Sequence, residues 1–417
     1  MQYKDFQMDR RQSAELLSNV WLGNLYSFID IFKKIIRKSF IFFKLLLFSK
    51  FVFKDPAQKK IIIFDCEGAA HLEILLKDYN FLSLSVRTNK MKTIYISKKI
   101  ILYMLKNFFK KSLKQNYLIC FLKIVDPKVV VTMIDNSRDF YIIAKALKNN
   151  IKLIAVQGAH RGLEFITQNS RNKIKAFIPE FLCFSDYDKD LYQEHNIDVG
   201  KYVSIGAFRA SLSLNYIKDK KIKIVPDKYD ICLVSEVRPI KNDDDKIFTD
   251  KVGLLAEYTH RLCKKNNLKL IFAGEANENT LTGRGEITFY KKYLKNENFK
   301  IHQAPRLEFP SYLDILQSRL VIGTKSTLLR ESFGLNKKTL VCSWTGNIID
   351  KFPIEDDLFI LTEQSYESFE KRVLKILSID ENEYFKNITK KSDYVMSPSR
   401  NTCDVLKQKI NTLLSIN

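Results

Sequence analysis

The sequence lacks the short motifs that would assign it to several well-known classes. Neither the phosphate-loop pattern GxxxxGK[ST] nor the dinucleotide pattern GxGxxG occurs, so neither of those sites is predicted. The five histidines show no HxxxH or HExxH spacing and the seven cysteines form no CxxC pair, which argues against a structural zinc site. Scattered cysteines in apolar runs are typical of a reduced, cytosolic protein.

Acidic residues are scarce relative to basic ones. The chain has 69 Lys and Arg against 47 Asp and Glu, a formal net charge of +22. Such an excess predicts an anionic partner, which is nucleic acid, anionic lipid or a phosphorylated substrate. No nucleic-acid motif accompanies the charge, so nucleic acid is the partner least favoured. The polar N-terminus lacks a signal-peptide layout, and a cytoplasmic location is therefore expected.

Long uncharged apolar runs are also missing. Residues 29–53 are rich in Ile, Leu and Phe, but six basic residues interrupt them, whereas a transmembrane helix needs about 20 mostly apolar residues. The segment fits a basic amphipathic helix on an anionic membrane, or equally an ordinary helix with solvated lysines. Residues 97–114 have the same character, with six lysines and no acid. Together the two segments predict peripheral association with the inner membrane.

From residue 59 onward the pattern is α/β, with two series of alternating strands and helices that predict parallel sheets. Strands are predicted at 61–64, 82–86, 129–134, 151–156, 176–184 and 203–206, and then at 230–234, 269–273, 299–302, 320–322 and 339–342. Helices are predicted at 139–148, 250–266, 290–295, 312–317 and 328–333. The predicted organisation is a helical segment (1–58), a first α/β domain (59–217), a linker (218–228), a second α/β domain (229–395) and a C-terminal helix (396–417).

The most informative stretch is residues 321–331, a strand end followed by a small-residue turn and a helix. Such a turn aims backbone N–H groups and the positive end of the helix dipole at one point, which predicts a phosphate site. Glu331, one helical turn in, is placed to accept both hydroxyls of a ribose. Residues 282–286 are predicted to form a loop, which is either a plain surface turn or a loop that folds over the ligand. Because ligands bind beyond the carboxyl ends of parallel strands, the donor-side candidates are Ser235, Glu236, Arg238, Gly274, Glu275, Gly323, Thr324, Ser326, Thr327, Arg330 and Glu331.

Polar clusters also end the strands of the first half. They comprise Asp65, Cys66, Glu67, Gly68, Asp135, Asn136, Ser137, Arg138, Gln157, Gly158, His160 and Arg161. A general base must reach the hydroxyl that it activates, and the candidates are Asp135, His160 and Glu67. The acceptor-side candidates are Asn136, Ser137, Gln157 and Arg161. Residues 135–137 also fit a helix N-cap.

The chain resembles glycosyltransferases of the GT-B fold, in which two Rossmann-like domains face each other across a cleft. Within that fold it is most similar to bacterial surface-carbohydrate proteins of capsule, O-antigen and lipopolysaccharide biosynthesis. The matching motifs are Thr132 to Ser137, Gln157 to Arg161, and Gly323 to Glu331 with Gly334, Lys337 and Lys338. The turn at His160 also resembles the histidine turn of teichoic-acid glycerophosphotransferases, although Gln-Gly-Ala-His departs from their His-Gly order. The resemblance covers roughly residues 60–395.

The resemblance implies a transferase that moves a sugar from a nucleotide-activated donor to a lipid-linked or growing surface glycan. The second domain would bind the nucleotide and the first the acceptor, at the anionic inner-membrane surface. Neither a metal nor another cofactor is expected, since Arg238, Arg330 and a helix N-terminus would stabilise the leaving phosphate. The alternatives are a CDP-glycerol-type glycerophosphotransferase, a nucleotide-sugar 2-epimerase and, outside enzymes, a nucleic-acid-binding protein.

Overall fold

The computed structural model describes residues 47–87, 90–108, 112–161, 175–237, 239–240, 242–274, 276–344 and 358–415. Residues 1–46 of the predicted helical segment (1–58) lie outside the described residues. Arg238 and Glu275, two of the predicted donor-side residues, lie outside them too.

The strands and helices alternate along most of the described chain. The strands are β1 Lys50–Val52, β2 Ile61–Phe64, β3 Phe81–Leu84, β4 Thr93–Tyr95, β5 Val129–Thr132, β6 Lys152–Val156, β7 Phe177–Ile178, β8 Glu180–Cys183, β9 Asp198–Val199, β10 Tyr202–Ser204, β11 Tyr229–Val234, β12 Leu270–Ala273, β13 Ile301–His302, β14 Ser318–Gly323, β15 Thr339–Cys342 and β16 Ile360–Leu361. The helices are α1 Ala70–Leu75, α2 Lys98–Lys106, α3 Leu113–Val125, α4 Arg138–Leu147, α5 Asp186–Glu194, α6 Phe208–Asp219, α7 Asp243–Asn266, α8 Leu281–Tyr293, α9 Pro310–Leu316, α10 Thr327–Gly334, α11 Tyr366–Ser378, α12 Glu381–Val395 and α13 Thr402–Ser415. Short 3-10 turns lie at Cys66–Gly68 and Arg306–Glu308.

Two parallel sheets organise the fold. The first has the strand order β10-β8-β6-β5-β2-β3 and the second β13-β12-β11-β14-β15-β16. Central strands such as β2 and β5 are buried on both faces, which is why they read as unbroken apolar runs and not as alternating ones. The predicted class, two α/β domains with parallel sheets, is confirmed.

The C-terminal helices connect the second domain back to the first. Helix α12 contacts both α10 and α5, and α13 packs against α6 and β5. Between these helices, the Ser399 hydroxyl accepts a hydrogen bond from the Ala207 backbone N–H at 2.9 Å. One hydrophobic cluster runs from the inner face of the first sheet through the second domain. The two domains therefore share a packed interface beneath the cleft.

Three regions differ from the sequence-based expectation. Residues 50–52 form a strand paired with β4 and are not helical. The stretch 97–114 holds two helices, because Ser97 and Ser112 each cap a new one. Residues 282–286 lie inside α8, whose N-cap Thr280 accepts from the Gly283 N–H at 3.0 Å. Packing and capping there outweigh the poor helix propensity of two glycines. No described helix is long and apolar enough to cross a membrane.

Candidate functional site

A cavity of about 510 Å³ separates the carboxyl ends of the two sheets. First-domain residues after β6 and β10 form one wall, and second-domain residues after β11, β12 and β14 form the other. The position follows the rule that ligands bind beyond the carboxyl ends of parallel strands. The predicted donor-side residues that line it are Ser235, Glu236, Gly274, Ser326, Thr327, Arg330 and Glu331.

Glu331 lines the cavity with a carboxylate oxygen that has no hydrogen-bond partner among the described residues. It lies one turn into α10 and is only 3% exposed. Its Oε2 accepts a hydrogen bond from the Tyr312 hydroxyl at 2.5 Å, while Oε1 has no partner among the described residues. Burial raises the pKa of this carboxyl group. A buried polar atom without a partner at a cavity wall calls for a ligand or a water molecule.

The turn predicted to bind phosphate is occupied by a side chain of the protein itself. The Glu236 carboxylate accepts the backbone N–H of Thr324 and of Lys325, each at 3.0 Å, and that of Ser326. The Thr324 hydroxyl also donates to it. The pairing of β11 with β14 places the residue after one strand beside the turn after the other. The prediction that this turn binds a phosphate is therefore wrong, because its N–H groups bind the Glu236 carboxylate.

Arg330 joins the two domains and does not offer its charge to the cavity. Its guanidinium contacts Asp188 of α5 at 2.7 Å and the Val395 carbonyl at 2.6 Å, with further bonds to Ser185 and His160. Arg330 is 1% exposed and Asp188 is 0% exposed. Burial opposes ionisation of Asp188, but Arg330 outweighs it and lowers the pKa of that carboxyl group. The N–H groups of Arg330 already donate to these partners. The prediction that Arg330 stabilises the leaving phosphate is therefore wrong, because Arg330 forms an interdomain ion pair instead.

His160 lines the cavity, as predicted, but its protonation state argues against a role as general base. Arg330 donates to Nδ1 at 2.9 Å, and because arginine has no acceptor, Nδ1 must be unprotonated. Burial, reinforced by Arg330, lowers the pKa of His160 to about 3. The ring is therefore neutral at pH 7 with its proton on Nε2. It can donate a hydrogen bond but has no free lone pair.

Asp135 does not face the cavity, contrary to expectation. It is 0% exposed, and its carboxylate accepts from Arg161 Nε at 2.9 Å and from the Tyr192 hydroxyl at 3.0 Å. Those two bonds go to Oδ2, and Oδ1 accepts from Arg161 Nη2, so both oxygens are committed and a substrate hydroxyl cannot reach them. Ser137 is the N-cap of α4, the alternative that its position had left open. Among the acceptor-side candidates, Arg161 is thus a partner of Asp135.

The remaining first-domain candidates serve local structure. The Gln157 amide donates to Asp188 at 2.7 Å and its oxygen accepts from the Phe184 N–H at 2.8 Å. Glu67 accepts from Ser85 and does not line the cavity. Asn136 does not line it either. Among the described residues, no group of three or more His, Cys, Asp or Glu side chains could hold a metal ion.

Several cavity residues are not among the candidates predicted from the sequence, and they include one imidazole and two guanidinium groups that the site can use. His71 lies in α1, Arg209 in α6 and Arg306 in the 3-10 turn after β13. Arg209 and Arg306 follow β10 and β13, two strands for which no candidate residues are predicted from the sequence, and His71 lies in the helix that follows β2. Burial lowers the pKa of His71 to about 4, and Arg209 and Arg306 add to the effect, so the ring is neutral at pH 7. Extending the rule for the carboxyl ends of parallel strands into the first turn of each helix would have found His71 and Arg209.

The facing parallel sheets and the cavity between them define a fold of the GT-B class. Within that class, the chain is similar to proteins of surface-carbohydrate biosynthesis. Residues 154–357 match the model of a family described as "putative O-antigen biosynthesis protein". No curated protein matches the sequence.

Solved structures with a similar backbone support the fold. The structure of S. aureus MnaA with UDP has a TM-score of 0.51 and 12% identity, covering 86% of this chain and 98% of its own. The wall teichoic acid polymerase TagF has a TM-score of 0.50 and 13% identity, covering 86% and 90%. At such low identity these similarities establish the fold alone. The family match adds a similarity to O-antigen biosynthesis proteins over residues 154–357.

Proposed function

We propose that the protein is a glycosyltransferase that takes a sugar from a nucleotide-activated donor and builds a surface glycan. The observation that carries this proposal is the buried, unpartnered Glu331 oxygen in the wall of the interdomain cavity. A vicinal hydroxyl pair, such as that of a ribose, supplies two donors to such a carboxylate. The second domain would thus hold the nucleotide, with the acceptor approaching from the first.

His71 is the group best placed to activate the acceptor hydroxyl. It lies on the first-domain side of the cavity, and its neutral imidazole has no hydrogen-bond partner among the described residues. A neutral imidazole with a free lone pair can take the hydroxyl proton as the new glycosidic bond forms. His160 would contribute a hydrogen bond from Nε2 to the donor. Positive charge in the cavity would stabilise the leaving phosphate.

Nucleotide binding tests the proposal. A thermal-shift panel of UDP, GDP, CDP, TDP and CMP compounds should contain at least one that stabilises the protein, by about 2.7 kcal/mol at a hundredfold excess over Kd. Glu331→Gln keeps an acceptor for Tyr312 but removes the charge. It should weaken nucleotide binding by about 1.5–3 kcal/mol, the value of a hydrogen bond to a charged group.

The matched control is Glu383→Gln, which changes an exposed glutamate on α12. It should leave nucleotide affinity unchanged. A folded Glu331→Gln variant that binds the nucleotide as tightly as the unchanged protein would contradict the assignment of the donor site.

Product analysis separates the proposed reaction from its two alternatives. A glycosyltransferase releases a nucleotide and lengthens the acceptor by one sugar. A glycerophosphotransferase adds phosphoglycerol to the acceptor and releases CMP. A 2-epimerase needs no acceptor and returns an isomer of the same nucleotide sugar. Mass spectrometry of the acceptor and chromatography of the nucleotide distinguish the three.

The lipid-linked acceptor would be met at a membrane surface, and the described end of the first basic apolar segment, residues 47–53, lies beside the strand that precedes the second. Strand β1 pairs with β4, directly before α2, and Lys99 contacts Asp55 at 3.0 Å. The exposed surface formed by residues 47–53 and α2, called the basic apolar face, carries strongly exposed apolar side chains. Phe53 is 78% exposed and Leu105 is 67% exposed. Further exposed members are Leu47, Phe48, Ile101 and Leu102. With lysines around it, this face suits an anionic lipid surface.

Charge reversal on this face should weaken membrane association. Lys98 and Lys106 are exposed on α2, and each lysine near an anionic surface contributes about 1 kcal/mol. The double variant Lys98→Glu, Lys106→Glu should bind anionic vesicles at least about 30-fold more weakly in a flotation assay, because two attractions are lost and two repulsions are added. The control pair, Lys291→Glu and Lys375→Glu on the second domain, should bind normally. Equal binding to neutral vesicles, or release only by detergent, would contradict this mode of association.

A further inference from the structure

We propose that the diphosphate of the donor is held by Arg209 and Arg306, one from each domain, and not by the small-residue turn after β14. This inference rests on the proposed function and specifies which residues bind the phosphates.

The turn is unsuited to a phosphate for two reasons. Three of its backbone N–H groups already donate to the Glu236 carboxylate. That carboxylate also adds a negative charge at the point where an anion would have to enter. Glu236 is only 8% exposed and is fixed by four hydrogen-bond donors of this turn, so its displacement would break a satisfied buried network. The turn acts as a rigid wall of the cavity.

The other cations near the turn are engaged as well. Arg330 is bound to Asp188, Ser185, His160 and a backbone carbonyl. The ammonium group of Lys325 lies 4.5 Å from the centre of the Phe248 ring. Arg330 cannot receive a diphosphate without giving up these contacts, whereas Lys325 lines the cavity as a single point charge and not as a planar fork.

Arg209 and Arg306 differ from these groups. Both line the cavity, and neither guanidinium has a hydrogen bond or ion pair among the residues that the structure describes. Aromatic contacts bring their elements together across the domain interface. The Phe309 ring lies 5.5 Å from Tyr216 of α6 and 5.6 Å from His71 of α1, measured between centroids. The effect of both arginines on the pKa values of His71 and Glu331 agrees with this proximity.

Two unpaired guanidinium groups facing one cavity form a site for a planar or tetrahedral oxyanion. Each can bind phosphate oxygens in a bidentate way, and their mutual repulsion is relieved when a dianion enters. Because one arginine comes from each domain, the bound diphosphate would connect both sides of the cleft. The nucleoside would then extend toward Glu331 and the sugar toward His71.

Inorganic pyrophosphate is the probe that isolates this site from the rest of the donor. Isothermal titration with the full chain should show pyrophosphate binding. Arg209→Ala and Arg306→Ala should each reduce its affinity about tenfold or more, since a charged hydrogen bond is lost. Arg209→Lys should recover part of that loss, because it restores the charge without the planar fork. The control, Arg138→Ala on the exposed start of α4, should bind as the unchanged protein does.

The outcomes separate this inference from the proposed function. Pyrophosphate affinity that survives both alanine substitutions in folded protein overturns the arginine site. So does a protein that binds a nucleoside diphosphate through Glu331 with no contribution from either arginine. If pyrophosphate binding depends on both arginines but no nucleoside diphosphate binds at all, the anion site stands and the glycosyltransferase proposal fails.

Discussion

Replacing Asp188 by asparagine is expected to destabilise the folded chain by about 3–5 kcal/mol, the usual cost of removing one partner of a buried ion pair. The change leaves Arg330, which is 1% exposed, as an uncompensated charge between the domains. It also weakens the hydrogen bond from Gln157. Equilibrium unfolding in urea, followed by circular dichroism, measures the effect.

The control for this prediction is Asp198→Asn, an exposed aspartate on β9. It should change the free energy of unfolding by no more than about 0.5 kcal/mol. A double variant that replaces Asp188 and Arg330 by apolar residues of similar volume should recover much of the loss, because no buried charge remains. Asp188→Asn with unchanged stability would show that the interdomain ion pair does not hold the domains together.

Replacing His71 by glutamine is expected to reduce turnover about 10²- to 10⁴-fold while nucleotide binding persists. Glutamine fills a similar space but cannot accept the proton of a hydroxyl group. The measurement is steady-state kinetics with the donor found in the binding panel. His260→Gln, which changes a histidine on α7 that does not line the cavity, is the control and should retain full activity. Full activity in His71→Gln would move the base to another residue.

The pH dependence of activity should follow from the lowered pKa of His71. Its neutral form is the base, and with a pKa of about 4 the neutral form persists as the pH falls from 7 to 5. The acid limb of kcat/KM, which reports the free enzyme, should therefore have its midpoint near pH 4 and not near the usual value of about 6.5. A diphosphate beside Arg209 and Arg306 neutralises part of their charge and raises the pKa of His71. The acid limb of kcat should consequently lie at higher pH than that of kcat/KM.

The strands and their order along the chain could be predicted because parallel strands buried on both faces are unbroken apolar runs. The predicted bounds of β2 equal the observed ones, and those of β14 differ from the observed ones by at most two residues. The rule that ligands bind beyond the carboxyl ends of parallel strands also predicts correctly that Ser326, Thr327 and Glu331 line the cavity. These features depend on local sequence and on a general property of parallel sheets.

The partners of individual side chains could not be predicted, because they come from distant parts of the chain. Arg330 meets Asp188, which is 142 residues away, and the turn at Thr324 meets Glu236, which is 88 residues away. Polar residues at a strand tip can face the ligand or fasten the loops around it. The local sequence is the same in both cases, so Asp135 was expected in the cleft and lies instead against Arg161.

The most direct test of the central proposal compares a nucleoside diphosphate with its 2′-deoxy and 3′-deoxy analogues, using the unchanged protein and Glu331→Gln. If Glu331 accepts hydrogen bonds from the ribose hydroxyls, the unchanged protein should bind the deoxy analogues about tenfold or more weakly. Glu331→Gln should bind all three with similar affinity. Equal binding of the three compounds by the unchanged protein, or discrimination that persists in Glu331→Gln, would contradict a donor site built around this carboxylate.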